Sequence, residues 1–118
     1  MENKKEKTKE ERIAAELRKF KGFCRNLGKD RKNIAIKLCQ KAAFMEVTLE
    51  DLQDRINKEG AVVTETNGNG FKVTMENPAQ KTYNAMIKNY NMVIKTLADM
   101  MPEGAAANDD LMQFVRKK

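Results

Sequence analysis

Residues 60–101 constrain the fold of this chain more than any other segment, because they combine a tight hairpin with a well-marked helix start. Two short alternating segments, predicted as strands at 61–66 and 71–76, flank an Asn-Gly-Asn-Gly loop. Such a loop supplies the positive-φ positions that short hairpin connections need. Asn77 then suits a helix N-cap and Pro78 the first helical position. The segment therefore predicts an antiparallel hairpin that leads directly into a helix.

Apolar residues at helical spacing predict three long helices, at 8–27, 30–59 and 78–101. Gly28 is expected to end the first and Asp30 to cap the second. The apolar positions expected to face the core in the first helix are Ile13, Leu17, Phe20, Cys24 and Leu27. Those of the second helix are Leu38, Ala42, Met45, Leu49, Leu52 and Ile56. A second apolar set is expected to widen the buried face of the second helix, and it consists of Ile34, Ile36, Ala43, Phe44 and Val47.

These elements predict a mainly α fold: a helical hairpin and a long third helix, with a small antiparallel β-hairpin between helices two and three. Residues 1–103 are expected to form one helical domain, since 118 residues suit a single modest core. The segment 104–118 is predicted as a small-residue linker followed by a short helical tail. Leu111, Phe114 and Val115 form the apolar edge of that tail.

Positive charge is concentrated in the first third of the chain. Residues 1–41 hold 14 Lys and Arg against 6 Asp and Glu, whereas residues 42–118 hold 9 against 11. Such asymmetry is typical of a surface that binds a polyanion. Within the basic portion, 8–41, the predicted DNA-binding residues are Arg18, Lys19, Lys21, Arg25, Lys29, Arg31, Lys32 and Lys37.

The basic segment has two interpretations. Charge runs on small helical proteins are commonly solvated surface, but a glycine turn here joins two helices and brings Arg25, Lys29, Arg31 and Lys32 to one corner. That arrangement resembles a helix-turn-helix, although the turn itself carries no strong signature. We favour contact with the phosphates of double-stranded DNA, because no series of aromatic residues indicates stacking on single strands.

Catalytic, metal and cofactor sites are not expected. The chain has no histidine, no phosphate-binding glycine loop and no nucleophile elbow. Glu46, Glu50, Asp51 and Asp54 suggest a nuclease metal site, but the simpler interpretation is a solvated, ion-paired helix face. Cys24 and Cys39 fit small apolar residues in helices better than a disulfide or zinc site. The absence of a long apolar run predicts a cytoplasmic protein without membrane contact.

Helices two and three offer more apolar length than a small chain needs. Contacts between subunits and contacts within one chain both fit such stripes. The residues predicted to form an oligomer interface are Leu49, Leu52, Ile56, Tyr83, Ile87, Tyr90, Ile94 and Leu97.

The order of long helix, Asn-Gly hairpin and Asn77-Pro78-Ala79 helix, with Tyr83, Tyr90 and Asn91 following, resembles the small terminase subunit of tailed bacteriophages. The resemblance extends from about residue 42 to 103. It implies a non-enzymatic, ring-forming homo-oligomer in the bacterial host cytoplasm that recognises double-stranded viral DNA and regulates the large ATPase and nuclease subunit. It further implies that the tail, through Leu111, Phe114 and Val115, binds that large subunit. After the last helix many small terminase subunits carry a Gly-Leu-Thr-Pro-like segment, whereas this chain has Met-Met-Pro-Glu-Gly.

The alternative is a small basic DNA-binding transcriptional regulator or nucleoid-type protein. Repressors seldom exceed dimers or tetramers, whereas terminase rings contain many copies, so the mass in solution separates the two classes. A nuclease would instead require metal-dependent cleavage by this chain alone.

Overall fold

The structure, a computed structural model, describes residues 7–101 and 106–116, with the side chains of 106–110 left aside. It contains four helices, α1 (Lys9–Gly22), α2 (Lys29–Glu59), α3 (Pro78–Met100) and α4 (Ala106–Arg116), and two strands, β1 (Val62–Thr66) and β2 (Lys72–Glu76). The strands form an antiparallel hairpin between α2 and α3. The predicted fold class is confirmed.

Helix α2 is the central helix of the molecule, since α1 and α3 both pack along it. Its 31 residues span about 46 Å, and the molecule extends over 60 × 35 × 22 Å. Small side chains lie fully buried on α2 at Ala35, Cys39, Ala42 and Ala43. These small residues let the neighbouring helices approach closely.

Hydrogen bonds at both ends and in the middle hold α3 antiparallel to α2. At one end the Asn77 amide donates to Glu59 Oε1 at 3.1 Å and to the Gly60 carbonyl at 2.8 Å. At the other end Arg31 donates to the Met100 carbonyl at 2.8 Å. In the middle the Tyr90 hydroxyl donates to Glu46 Oε1 at 2.5 Å.

The start of α3 follows the sequence prediction. Asn77 is the N-cap, and its side-chain oxygen accepts from the Ala79 amide at 2.9 Å, with Pro78 at the first helical position. The hairpin loop differs in detail from the prediction: among the described residues of the loop, only Gly70 has a positive φ, 85°. The Asn67 side chain instead holds the loop by accepting from the amides of Asn69 and Phe71, at 2.9 and 3.0 Å.

The first helix ends earlier than predicted. α1 stops at Gly22, and residues 23–26 form a turn. Gly28 does not end α1; it is the N-cap of α2, and Asp30 lies inside that helix rather than capping it. The apolar face predicted for the first helix is nevertheless in place, because Phe20 and Cys24 are fully buried.

The burial predicted for two apolar residues of the second helix is wrong. Ile34 and Phe44 were expected to widen the buried face of the second helix, but they are 58% and 46% exposed.

Part of the predicted linker, from Ala106 onward, belongs to α4. Leu111 of α4 is fully buried in the core, so the described part of the tail packs with the helical domain instead of extending from it. From the sequence we also expect Pro102 to stop the third helix, because proline cannot continue it, but this residue lies outside the described residues.

Candidate nucleic-acid interface

The turn between α1 and α2, residues 23–28, is called the corner below, and it is held by backbone hydrogen bonds and by ring packing against α4. Backbone amides of Phe23 and Cys24 donate to the carbonyls of Phe20 and Lys21, both at 3.0 Å. The Phe23 ring packs 5.5 Å from the ring of Phe114 in α4. Because the apolar residues of the turn point into the core, the polar residue between them, Arg25, is left on the surface.

The eight predicted DNA-binding residues lie in the second half of α1, in the turn, and in the first three turns of α2. Lys32 is half-buried, and the exposed members are Arg18, Lys19, Lys21, Arg25, Lys29, Arg31 and Lys37. Lys41 is also exposed one turn further along α2. The cations of α2 from Lys29 to Lys41 therefore span about 18 Å along one helix.

Most of these cations are not neutralised by a neighbour. Lys19 pairs with Glu16 at 3.4 Å, and Arg31 is engaged with the Met100 carbonyl. Within the part of the chain whose side chains are described, no carboxylate forms an ion pair with Arg18, Lys21, Arg25, Lys29 or Lys37. Asp30 is the sole acidic residue between positions 18 and 41. The corner is therefore a positive surface, and most of its charges have no carboxylate partner among the described side chains.

Sequence reasoning missed two exposed apolar side chains on this surface. Ile34 and Phe44 alternate with Lys37 and Lys41 at spacings of three and four residues, so the four lie on one face of α2. The Lys9 ammonium lies 5.0 Å from the centre of the Phe44 ring. The spacing is visible in the sequence, but so is the buried face beside it, and only packing decides which of the two is covered.

Cys24 and Cys39 meet directly beneath the corner. Both are fully buried free cysteines, and their Sγ atoms lie 3.5 Å apart. The hydrogen bond from the Cys39 thiol lowers the pKa of Cys24 to about 7, and the positive charge of Lys32 acts in the same direction. The same hydrogen bond, together with burial, raises the pKa of Cys39. The two thiols are therefore within hydrogen-bond distance inside the core, a proximity that the sequence spacing does not reveal.

The acidic face of α2 is largely neutralised by basic side chains. Arg12 of α1 donates to Asp51 at 2.7 Å and to Glu50 at 3.1 Å. Arg55 pairs with Glu59 at 3.1 Å. Among the described residues no group of His, Cys, Asp or Glu is arranged to hold a metal ion. The ion pairs of Glu50 and Asp51 agree with the predicted ion-paired face. Glu46 departs from the prediction, because it is buried and accepts a hydrogen bond from the Tyr90 hydroxyl.

A cavity of about 370 Å³ opens beside this face, between α2, α3 and α4. Glu46, Tyr83, Tyr90 and Val115 contribute to its lining. Burial and the hydrogen bond to Glu46 raise the pKa of Tyr90. The cavity thus contains a neutral phenol bound to a buried carboxyl group, which is a structural contact within the helix pair.

Four of the predicted oligomer-interface residues are used within one chain, which corrects that part of the prediction. Leu49, Tyr90, Ile94 and Leu97 lie buried where α2 packs on α3. The other four predicted interface residues are half-buried, and they are Leu52, Ile56, Tyr83 and Ile87. Because α3 packs antiparallel on α2, each helix covers much of the apolar stripe of the other, which the sequence had suggested was available for a second subunit.

The three predicted partner-binding residues also contact their own chain. Leu111 is fully buried, and the Phe114 ring meets the Phe20 ring edge to face at 5.2 Å. Val115 is half-buried beside the cavity. Binding of these residues to another protein therefore requires α4 to leave the core first.

Comparisons with protein-family models, with curated proteins and with solved structures found no match to this chain. Among the described residues, no helix has the length and apolar character needed to cross a membrane.

Proposed function

We propose that this chain is a DNA-binding regulatory subunit of the small-terminase kind, acting in viral genome packaging. The observation that carries the proposal is the corner between α1 and α2, where most of the exposed cations lack carboxylate partners among the described side chains. Phosphate contacts supply most of the affinity of non-specific DNA binding. The sequence resemblance from residue 42 to 103 supplies the packaging role, and with it a site of action in the bacterial host cytoplasm.

In this proposal α2 is the element that meets DNA. Its first turns present Lys29, Lys37 and Lys41 to the phosphates, and Ile34 is available for apolar contact with a thymine methyl group. The cations of α1 add contacts across the corner. A homo-oligomeric ring would repeat this surface, so that weak single contacts sum through multivalency.

Regulation of the large ATPase and nuclease subunit is proposed to involve α4. Because Leu111 is buried in the free chain, we expect the large subunit to bind α4 only after that helix detaches. The energy needed for detachment then lowers the affinity for the partner and makes binding dependent on how firmly α4 packs.

A second function, a small basic DNA-binding regulator, is favoured by one specific observation. The apolar stripes that motivated a ring are largely covered within a single chain, as the burial of Ile94 and Leu97 illustrates. Sedimentation equilibrium of the chain separates the two functions. A closed oligomer of many copies supports the packaging subunit, and a monomer or dimer that still binds DNA supports the regulator.

The DNA-binding role itself is tested by charge reversal at Arg25, Lys29 and Lys37. Arg31 is left intact because it contacts the Met100 carbonyl. The triple variant to Glu should lose most duplex affinity, and the slope of log affinity against log salt should fall by up to about 2.7. Circular dichroism should show unchanged helicity.

The matched control is the triple reversal of three exposed lysines away from the corner, Lys58, Lys81 and Lys88. That control changes the net charge equally but should leave most of the affinity and the salt slope in place. Equal losses in both triple variants would reduce the effect to net charge alone and contradict an interface at the corner.

A further inference from the structure

The β-hairpin exposes a strand edge that pairs with no other strand of the described chain. The sheet of the described chain consists of β1 and β2 alone, and every residue of β2 is exposed. Two-stranded hairpins are marginally stable in water by themselves. A strand edge with free amides and carbonyls is also a template for pairing with another strand.

The hydrogen-bond pattern identifies which groups of β2 point outward. The Asn67 amide donates to the Phe71 carbonyl and the Asn77 amide to the Ala61 carbonyl, both at 2.8 Å. Bonded and non-bonded pairs alternate along an antiparallel ladder. With the observed register, the inward-bonding residues of β2 are therefore 73 and 75, and the backbone groups of residues 72, 74 and 76 face away from β1.

We propose that β2 pairs antiparallel with β2 of a second copy of this chain, about a two-fold axis at Thr74. The three outward-facing residues then meet in register: Thr74 lies opposite its own symmetry mate, and Lys72 lies opposite Glu76 of the second copy. By symmetry the ion pair forms twice. Each of these opposed pairs exchanges backbone hydrogen bonds, so the two hairpins merge into one four-stranded sheet.

Charge complementarity is what selects this edge and this partner. Charged residues on edge strands commonly prevent association, but Lys72 and Glu76 lie at equal distances on either side of Thr74 and so attract their symmetry mates. The β1 edge lacks this property, because the same pairing about Thr64 sets Val63 against Glu65. β2 is thus the self-complementary edge of the hairpin.

Apolar side chains on one face of the hairpin reinforce the pairing. In the proposed register Val73 lies opposite Met75 of the second copy, and both are 42% exposed in the single chain. Phe71, 70% exposed, lies on the same face beyond Val73. Cross-strand apolar and opposite-charge pairs of this kind stabilise antiparallel sheets.

This contact is independent of the proposed DNA binding, since the hairpin and the basic corner lie at opposite ends of α2. It is isologous and closes at two copies. If a head-to-tail contact between helices also forms a ring, the β2 contact would join one ring to a second ring or join neighbouring subunits in pairs.

Single and double charge exchange tests the contact by sedimentation equilibrium. Lys72→Glu and Glu76→Lys each place like charges opposite one another, and each should weaken the dimer step by about tenfold, because two ion pairs are reversed at once. The double variant Lys72→Glu/Glu76→Lys exchanges the charges within each pair and should restore wild-type association. All four proteins should retain the same circular dichroism. Indistinguishable association of the four would overturn the proposal, as would a wild-type chain that stays monomeric at high micromolar concentration.

Cysteine cross-linking provides a second measurement that does not depend on the total number of copies. Thr74→Cys should form a covalent dimer under mild oxidation, because the two-fold axis places each introduced thiol next to its own mate. Thr64→Cys is the matched control, since Thr64 lies directly across the hairpin from Thr74 on the same face. The wild type controls for the buried native cysteines. Equal cross-linking at 64 and 74, or none at 74, would refute pairing through β2.

Discussion

The packing of α4 onto the core is best tested at Leu111, the residue on which the sequence prediction and the structure disagree most. A tail that merely tethers a partner would tolerate Leu111→Ala in the isolated chain. In the structure, however, the Leu111 side chain is fully buried among core residues. The substitution therefore removes buried methyl groups and leaves a cavity.

The expected loss of unfolding free energy is about 3 kcal/mol, within the range of large-to-small core substitutions. For a chain of this size the melting temperature should fall by about 12 °C. Urea denaturation followed by circular dichroism measures the change. The matched control is Gln113→Ala on the exposed side of the same helix, which should stay within about 0.5 kcal/mol of the wild type.

A loss below about 0.5 kcal/mol for Leu111→Ala would show that α4 does not pack on the core in solution. The reasoning from burial would then fail, and α4 would be accessible without first detaching from the core. A loss of the expected size would mean that α4 contributes to the stability of the chain, so that removing this helix destabilises the fold.

Two further predictions concern buried titratable groups. Tyr90→Phe should lower the unfolding free energy by about 1–2 kcal/mol, because the hydroxyl no longer donates to the buried Glu46. Since the pKa of Tyr90 is raised in the folded chain, its stabilising contribution is complete below the unfolded pKa of about 10 and declines as the pH rises above it. The unfolding free energy of Tyr90→Phe should therefore fall less steeply across alkaline pH than that of the wild type. Parallel curves for the two proteins would contradict the assignment. For the thiol pair, ultraviolet absorbance should detect thiolate formation at Cys24 with a pKa of about 7. Cys39→Ala should shift this pKa upward because the donating thiol is removed, and an unchanged titration would assign the early ionisation to another cause.

Local chemistry made much of the fold predictable. The hairpin and the start of α3 depend on residues close together in the chain, as the Asn67 loop and the Asn77 cap illustrate. The span of α2 was predicted within one residue for a similar reason, since Gly60 ends it with a positive φ of 89°. The end of α1 was missed because apolar periodicity continues through Cys24, while the backbone leaves the helix so that Phe23 can reach Phe114.

Some features of the candidate site likewise follow from composition, and others follow only from the packing of the helices. The sequence by itself determined that the first third of the chain is basic, because charge is a property of the residues present. The tertiary structure decided that Arg25 and Lys29 are exposed while Arg31 contacts Met100, and that Cys24 meets Cys39. It also decided that Leu111 is covered and Ile34 is not. Helical spacing allows more than one apolar face, and only the neighbouring helices determine which face is removed from water.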